Sequence, residues 1–194
     1  MPYQDLPEFF EIIANKNGNS AYALQFLILT ACRSGEVLNA TWNEIDLENN
    51  TWTIPASRMK AGTEHRIPLT EKMINILETA PRLNEYVFAG NRHGRPLSGM
   101  AMLTMMRKMG YVKDGKYPAY VPHGFRSSFR DWCEEQSSAP HGVIERALAH
   151  TISNATERAY NRGDLFDKRR SLMGSWGNYV CADESNVTHL RKWL

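Results

Sequence analysis

The stretch TWTIPASRMKAGTEHRIPL, residues 51–69, contains two β-strand signals separated by a turn. Thr51–Ile54 is rich in β-branched and aromatic side chains, which favour strands. His65–Leu69 is a second such run, and it follows a turn at Ala61–Gly62. These residues therefore predict a small antiparallel hairpin, with Lys60 beside its turn.

Helical patterns occupy most of the chain on either side of this hairpin. Apolar residues recur at helical spacing, and Ser, Thr, Gly or Pro stands where helices are expected to begin and end. The predicted fold class is therefore mainly α with one small antiparallel β-sheet (α+β). The predicted helices cover residues 7–17, 20–33, 37–38, 71–80, 98–109, 124–135, 142–149, 154–162 and 164–179.

Length and composition indicate one ordinary globular domain. The chain has 194 residues, 42% hydrophobic and 23% charged, so we expect a single domain over residues 1–180 and a C-terminal tail over 181–194. No run reaches the roughly 18 apolar residues of a membrane helix, and no basic segment precedes an apolar one at the start. The three cysteines show neither CxxC nor Cys/His ligand spacing. A soluble cytoplasmic protein without disulfides or zinc is predicted.

The net charge of +2 is too small to identify a polyanionic partner by itself. Its distribution is more informative, because residues 92–116 carry six basic side chains and one acid, Asp114. Ten of the 21 acids lie in three other segments, 5–11, 36–48 and 131–135. This asymmetry predicts a basic face on the protein.

Two arginines stand where the chain could bind an anion. Arg33 lies where an apolar helix breaks at Ser34–Gly35, so we expect the helix C-terminus to hold its guanidinium, with Glu36 in reach. His123 and Arg126 are three residues apart, which places them on one side of a helix's first turn. The free N–H groups of such a turn favour anions. Arg33 alone is more often a solvated helix-end residue, and a His-x-x-Arg spacing alone often arises by chance.

Three further side chains have ordinary explanations when each is taken singly. Lys60, beside a glycine turn, is expected to be solvated, and His150, at the end of an apolar helix, is expected to complement the helix dipole. Tyr160 is expected to be a packed aromatic residue. The six residues nevertheless occur together in the order Arg33, Lys60, His123, Arg126, His150 and Tyr160.

With that order the sequence resembles the C-terminal catalytic domain of the tyrosine recombinases, in particular the P4-like integrases of phages and genomic islands. The resemblance runs from about Leu27 to Tyr179, although such families often have glycine where this chain has Cys32. Members normally carry an arm-binding and a core-binding domain upstream, so the chain is predicted to be the catalytic part alone. The motifs that carry the resemblance are ACRSGE at 31–36, MK at 59–60, HRIPL at 65–69, HGFR at 123–126, LAH at 148–150, AYNR at 159–162 and RRSLM at 169–173 with Trp176.

The resemblance implies a DNA strand-transfer reaction that needs neither metal nor cofactor. Tyr160 is then the nucleophile that attacks the scissile phosphate, forms a 3′-phosphotyrosyl link and releases a 5′-hydroxyl. Arg33 and Arg126 are implied to neutralise the charge on the nonbridging oxygens. These three residues form the implied core of the active site.

The same resemblance assigns the proton transfers. His123 is the implied base for the tyrosine, Lys60 is the implied acid for the leaving 5′-oxygen, and His150 is implied to donate a hydrogen bond to a phosphoryl oxygen. Glu36 is implied to orient Arg33. His65 is either an auxiliary phosphate contact or a structural residue of the strand.

The implied partner is double-stranded DNA at attachment sites, bound by a homotetramer of the full-length protein, with accessory DNA-bending proteins. The tail is expected to exchange between protomers. Two alternatives remain at this point: a type IB topoisomerase, which would use nearly the same residues, and a non-catalytic DNA-binding regulator that has kept the fold. The pattern around Tyr160 and the segment from Arg169 to Trp176 favour the integrase.

Overall fold

The computed structural model describes residues 1–150 and 163–182, and within them the chain is mainly helical. Short 3₁₀ turns at Tyr3–Asp5, Trp42–Glu44, Ala56–Arg58 and Pro122–Gly124 join the longer elements. The α-helices are α1 Leu6–Ala14, α2 Asn19–Thr30, α3 Ser34–Leu38, α4 Glu71–Thr79, α5 Ala101–Lys108, α6 Phe125–Gln136, α7 His141–Ala147 and α8 Phe166–Val180. The strands are β1 Ile45–Asp46, β2 Thr51–Ile54, β3 His65–Pro68, β4 Val112–Lys113 and β5 Tyr117–Pro118.

The predicted hairpin is confirmed as part of a larger antiparallel sheet. β2 pairs with β3, with Trp52 opposite Ile67, and β1 adds a third strand on the free edge of β2, with Ile45 opposite Trp52. The prediction of one two-stranded sheet was incomplete, because a two-residue strand such as β1 shows no alternation of polar and apolar side chains.

A second hairpin, β4 with β5, was missed although the sequence contains its signal. The turn between the two strands passes through Asp114 and Gly115, which have φ of 54° and 65°. An Asp-Gly pair tolerates such positive φ and is a strong indicator of a tight hairpin. The sequence interpretation assigned Lys113 and Lys116 to the basic segment 92–116 and did not recognise the turn between them.

Helix α2 lies at the centre of the core and contacts α1, α3, α4, α5, α6 and α8. Nine of its 12 residues are buried, so its apolar surface is not confined to one stripe. A helix that is apolar around its circumference needs neighbours on all sides. The buried side-chain amide of Gln25 donates a hydrogen bond to the Ile13 carbonyl at 2.9 Å. This bond offsets the free-energy cost of removing the amide from water.

Helix α8 joins the helical core to the three-stranded sheet. Trp176 is fully buried and its indole N–H donates to the Ile28 carbonyl of α2 at 2.8 Å. The same ring packs against Phe129 and Trp132 of α6, while the N-terminal part of α8 contacts β3. Contacts with both the helical core and the three-stranded sheet therefore fix the position of α8.

Two predicted segments lie outside the described residues: the helix over 154–162, and the tail after Ala182. The described part of the tail is Cys181 and Ala182, directly after the end of α8. Across residues 1–150 and 163–182, we find no helix with the length and apolar character required to cross a membrane.

Candidate active site

Arg126 is the second residue of α6 and only 6% of it is exposed. Its Nη1 donates to the Ala31 carbonyl at 2.5 Å and its Nη2 donates to the Leu148 carbonyl at 2.7 Å. The guanidinium therefore ties the ends of α2 and α7 to the start of α6. Burial lowers the pKa of Arg126, and the nearby positive charge of Arg33 lowers it further.

Both carbonyls can accept a hydrogen bond from Arg126 because each lies at the C-terminal end of a helix. The last carbonyls of a helix have no partner within that helix, and Ala31 and Leu148 directly follow the last residues of α2 and α7. Ala31 and Ala149 adopt left-handed conformations, with φ of 52° and 49°, which stop both helices. Arg126 thus satisfies two buried acceptors that two helix ends present.

His150 lies beside Arg126 and between two groups of opposite charge. Its Nδ1 is 2.9 Å from Oε2 of Glu145, and its Nε2 is 3.2 Å from Nη2 of Arg126. A guanidinium only donates hydrogen bonds, so Nε2 must accept and Nδ1–H must donate to the carboxylate. In this arrangement the neutral ring offers no proton at Nε2, and the implied phosphoryl contact requires a second proton on the ring.

The predicted position of Arg33 at the C-terminus of a helix was wrong. We expected the C-terminus of the preceding helix to hold this side chain, but α2 already ends at Thr30 and Arg33 directly precedes α3. The reason is the left-handed turn at Ala31, which the sequence pattern did not reveal. The expected contact with Glu36 is present.

Glu36 binds both ends of Arg33. Its Oε1 is 2.7 Å from Nη1 of the guanidinium, and its Oε2 accepts the backbone N–H of Arg33 at 2.8 Å. Only 6% of Glu36 is exposed, whereas 26% of the Arg33 side chain is. The carboxylate therefore anchors the arginine from the buried side and leaves part of the guanidinium open to a ligand.

His65 is buried in β3 close to the same charges. Burial lowers the pKa of His65 to about 3, and the positive charges of Arg169, Arg126 and Arg33 contribute. The ring is therefore neutral at physiological pH. Its Nε2 is buried and has no hydrogen-bond partner among the described residues. The geometry is compatible with either predicted role of His65, the phosphate contact or the structural one.

Lys60 and His123 are exposed at two turns. Lys60 lies between β2 and β3, and His123 lies in the 3₁₀ turn that precedes α6. Neither side chain has a hydrogen bond or ion pair to another residue of 1–150 or 163–182. Their polar atoms are therefore available to a ligand. Tyr160 lies outside the described residues.

Arg169 is a buried charge whose role the sequence interpretation missed. It is 2% exposed, its Nη1 donates to the Arg66 carbonyl at 2.5 Å, and its Nε donates to the Asp164 carbonyl at 2.7 Å. Burial lowers the pKa of Arg169 to about 10. A signal existed, since Arg169 shares the helical spacing of Leu172 and Trp176 on the buried stripe of α8.

The arrangement as a whole is suited to binding an anion. Arg126 and Arg33 lie close enough for the charge of one to act on the other, and guanidinium groups bind the oxygens of phosphate in a fixed geometry. In the part of the chain that is described, no three His, Cys, Asp or Glu residues are grouped so that they could hold a metal ion. Arginines held by carbonyls and a carboxylate can stabilise the negative charge of a phosphoryl group.

Sequence comparison connects this site to known proteins. The family profile described as the Phage integrase family matches residues 1–165. The prophage integrase IntA of Escherichia coli (strain K12) is 34% identical over 172 residues, which cover 85% of this chain and 40% of that protein. The integrase of Shigella phage Sf6 is 31% identical over 189 residues, covering 93% and 47%. The integrase of Enterobacteria phage P4 is 29% identical over 199 residues, covering 93% and 45%.

Comparison with solved structures gives the same fold at lower identity. A lambda integrase dimer bound to a COC′ core site matches with a TM-score of 0.58 and 19% identity, covering 84% of this chain and 47% of that chain. XerA recombinase matches with a TM-score of 0.55 and 18% identity, covering 82% and 63%. The predicted fold class is thereby confirmed. This chain spans about half the length, or less, of the curated relatives that it matches.

Proposed function

Because the chain belongs to the phage integrase family, we propose that it is the catalytic part of a site-specific recombinase that cleaves and rejoins DNA through a 3′-phosphotyrosyl intermediate. The observation that carries the proposal is the setting of Arg126. Three of its five N–H donors are used by Ala31, Leu148 and His150, and within residues 1–150 and 163–182 the other two have no partner and can bind phosphate oxygens. Such a rigid guanidinium can stabilise a charged transition state without having to reorganise.

In the proposed reaction the phosphate is transferred between oxygens. The Tyr160 oxygen forms a bond to phosphorus while the bond from phosphorus to the 5′-oxygen breaks, so the energy of the ester is kept for rejoining. Arg33 and Arg126 neutralise the nonbridging oxygens. His123 takes the tyrosine proton and Lys60 supplies a proton to the leaving 5′-oxygen. Attack by another 5′-hydroxyl reverses the sequence and completes strand exchange.

Asp164 follows the proposed nucleophile, Tyr160, by four positions in the sequence and is anchored to the sheet. Arg169 holds the Asp164 carbonyl to the strand that contains His65, because the same guanidinium binds the Arg66 carbonyl. The choice of Tyr160 itself rests on the resemblance of its motif, AYNR at 159–162, to the tyrosine recombinases.

The proposed partner is double-stranded DNA at attachment sites, bound by a homotetramer of the full-length protein together with DNA-bending proteins. A lambda integrase tetramer bound to a Holliday junction has the same fold, with a TM-score of 0.57. The curated relatives are integrases, which favours this function over a type IB topoisomerase or a non-catalytic regulator. The three free cysteines fit a reducing cytoplasm, where this reaction would take place.

The test is capture of a covalent adduct on a nicked DNA substrate that loses its 5′-hydroxyl fragment after cleavage. We expect Tyr160→Phe to abolish the adduct and to leave DNA affinity nearly unchanged, because phosphate contacts dominate binding. Tyr179→Phe is the matched control, since that hydroxyl donates to the Tyr3 carbonyl at 3.2 Å within the packed core. An adduct that persists in Tyr160→Phe and disappears in Tyr179→Phe would place the nucleophile on α8.

A further inference from the structure

Glu145 is a nearly buried carboxylate of α7 to which the resemblance gives no role. It is 9% exposed, and its Oε2 is 2.9 Å from Nδ1 of His150. Its Oε1 is 2.9 Å from Nη1 of Arg130, an ion pair without hydrogen-bond geometry, and 3.8 Å from Nε2 of His141. Burying a carboxylate is costly unless positive partners compensate. His150 and Arg130 are the partners closest to Glu145.

The His150 ring lies between two groups of opposite charge, and these have opposite effects on its protonation. Arg126 of α6 lies 3.2 Å from Nε2 and disfavours a proton there, while Glu145 lies 2.9 Å from Nδ1 and favours a positive ring. Arg130 and His141 act on the ring only through Glu145. Glu145 is the single carboxylate that contacts this ring among residues 1–150 and 163–182.

We propose that Glu145 is a positioning residue that keeps His150 ready to become an imidazolium, so that Nε2–H donates to a phosphoryl oxygen. The inference rests on the proposed function. The negative charge of a phosphodiester bound to the two remaining N–H groups of Arg126 offsets the positive charge that disfavours a proton on Nε2 of His150. The ring then takes a proton from solvent at Nε2, and Glu145 stabilises the resulting positive charge at Nδ1–H, as carboxylates do for histidines in other acid–base sites.

The first test measures the protonation of the His150 ring in the chain without DNA, by NMR of ¹⁵N-labelled histidine assigned with His150→Gln. Glu145→Gln keeps the size of the side chain and an oxygen that accepts the Nδ1 proton, but it removes the charge. We expect the ratio of protonated to neutral ring at a given pH to fall about tenfold, the effect of removing one charge at this distance. An unchanged ratio would overturn the proposal.

Glu134→Gln is the matched control. Its carboxylate binds the same Arg130, with Oε1 at 3.0 Å from Nε, but it is mostly exposed and does not contact His150. This variant should leave the ratio within about twofold of the wild type. Arg130→Gln should change the ratio in the opposite direction, because it removes the positive charge that competes for Glu145. A fall in the ratio for all three variants would show a loss of folding and would contradict the proposal.

The second test measures single-turnover adduct formation with nicked DNA between pH 6 and pH 8. Glu145→Gln should slow cleavage about 10- to 100-fold at pH 8 and much less at pH 6, where solvent supplies the proton more readily. A uniform loss at every pH would assign Glu145 a structural role and would overturn the proposal. If the wild type forms no adduct, the proposed function fails, while the NMR ratio still decides whether Glu145 controls the proton on His150.

Discussion

Arg126 and Lys60 differ most in how their side chains are held. Arg126 is buried and bound by two carbonyls, whereas Lys60 is exposed in the turn between β2 and β3. The difference suits the proposed chemistry, because charge stabilisation requires a fixed group while proton delivery requires one that reaches the leaving oxygen. A lysine has a flexible four-carbon stem that can do so.

Lys60→Ala should slow cleavage of ordinary DNA by roughly 10²–10⁴, the usual contribution of general acid catalysis. A substrate with sulfur in place of the 5′-bridging oxygen needs no acid, because a thiolate leaves more readily than an alkoxide. The variant should therefore cleave that substrate about as fast as the wild type in a single-turnover assay. Arg33→Ala is the control and should not be rescued, since its charge acts on the nonbridging oxygens. Rescue of Arg33→Ala alone would contradict both assignments.

His65 should make the folded state sensitive to acid. Its pKa is about 3 in the folded protein against an ordinary value near 6.5, so below pH 6.5 the unfolded chain binds a proton that the folded chain does not. Stability contributed by the neutral ring is full above pH 6.5 and is lost between pH 6.5 and pH 3, at up to about 1.4 kcal/mol per pH unit.

Urea unfolding at pH 7, 5 and 4 checks this expectation. His65→Gln should show a smaller loss of unfolding free energy on acidification than the wild type, because it has no ring to protonate. His93→Gln, at an exposed loop position, should lose as much as the wild type. Equal losses in all three proteins would show that the buried ring does not govern the acid response.

At the scale of elements, ion pairs between charged side chains join α8 to β3. Arg169 is 2% exposed and has its ion-pair partner in Asp164, whose Oδ2 lies 3.3 Å from Nη2, and Arg66 of β3 binds the same carboxylate at 3.2 Å. The Asp164 Oδ1 also accepts the backbone N–H of Phe166 at the start of α8. One side chain thus begins the helix and joins it to the sheet.

Asp164→Asn should lower the free energy of unfolding by about 1–2 kcal/mol. The amide oxygen still accepts the Phe166 N–H, but the buried Arg169 loses its carboxylate, and the partial exposure of Asp164 moderates the cost. Asp167→Asn removes the same charge from the exposed first turn of α8 and should stay within about 0.5 kcal/mol of the wild type. Urea titrations compare the variants, and equal stabilities would refute the role given to Asp164.

At the scale of the whole molecule, the small net charge of +2 predicts weak DNA binding by this chain. We expect micromolar affinity at physiological salt, little preference among sequences, and a steep loss of affinity as salt rises. Replacing both Lys113 and Lys116 with Gln, on the exposed β4–β5 hairpin, should weaken binding to all sequences alike and reduce the salt slope by about one to two.

Fluorescence anisotropy with an attachment site and an unrelated duplex measures both quantities. Nanomolar binding that is specific to one sequence would contradict the expectation, because it would show that this chain alone contacts enough bases to read the site.

Local patterns in the sequence were sufficient for the fold class and for most element positions. Helical spacing in α1, α4, α5 and α6 and the β-branched run in β2 follow from interactions between residues a few positions apart. The candidate residues were found in the same way, as short motifs at helix ends and turns. The motifs could not show which side chains lie together in one site. Their spacing indicates which residues are close along the chain, but not which distant residues the fold brings together.

The site itself was decided by contacts between distant parts of the chain. Arg126 binds carbonyls 95 and 22 residues away, and these carbonyls are available because the helices stop where Ala31 and Ala149 adopt a left-handed conformation. Glu145 and Arg169 likewise became visible once the helices were assembled, since a buried charge is recognised by its partners. The sequence by itself determined the secondary-structure elements and the candidate side chains. The tertiary structure decided their contacts, because helix ends expose carbonyls without partners in the helix, and the groups that bind these carbonyls come from elsewhere in the chain.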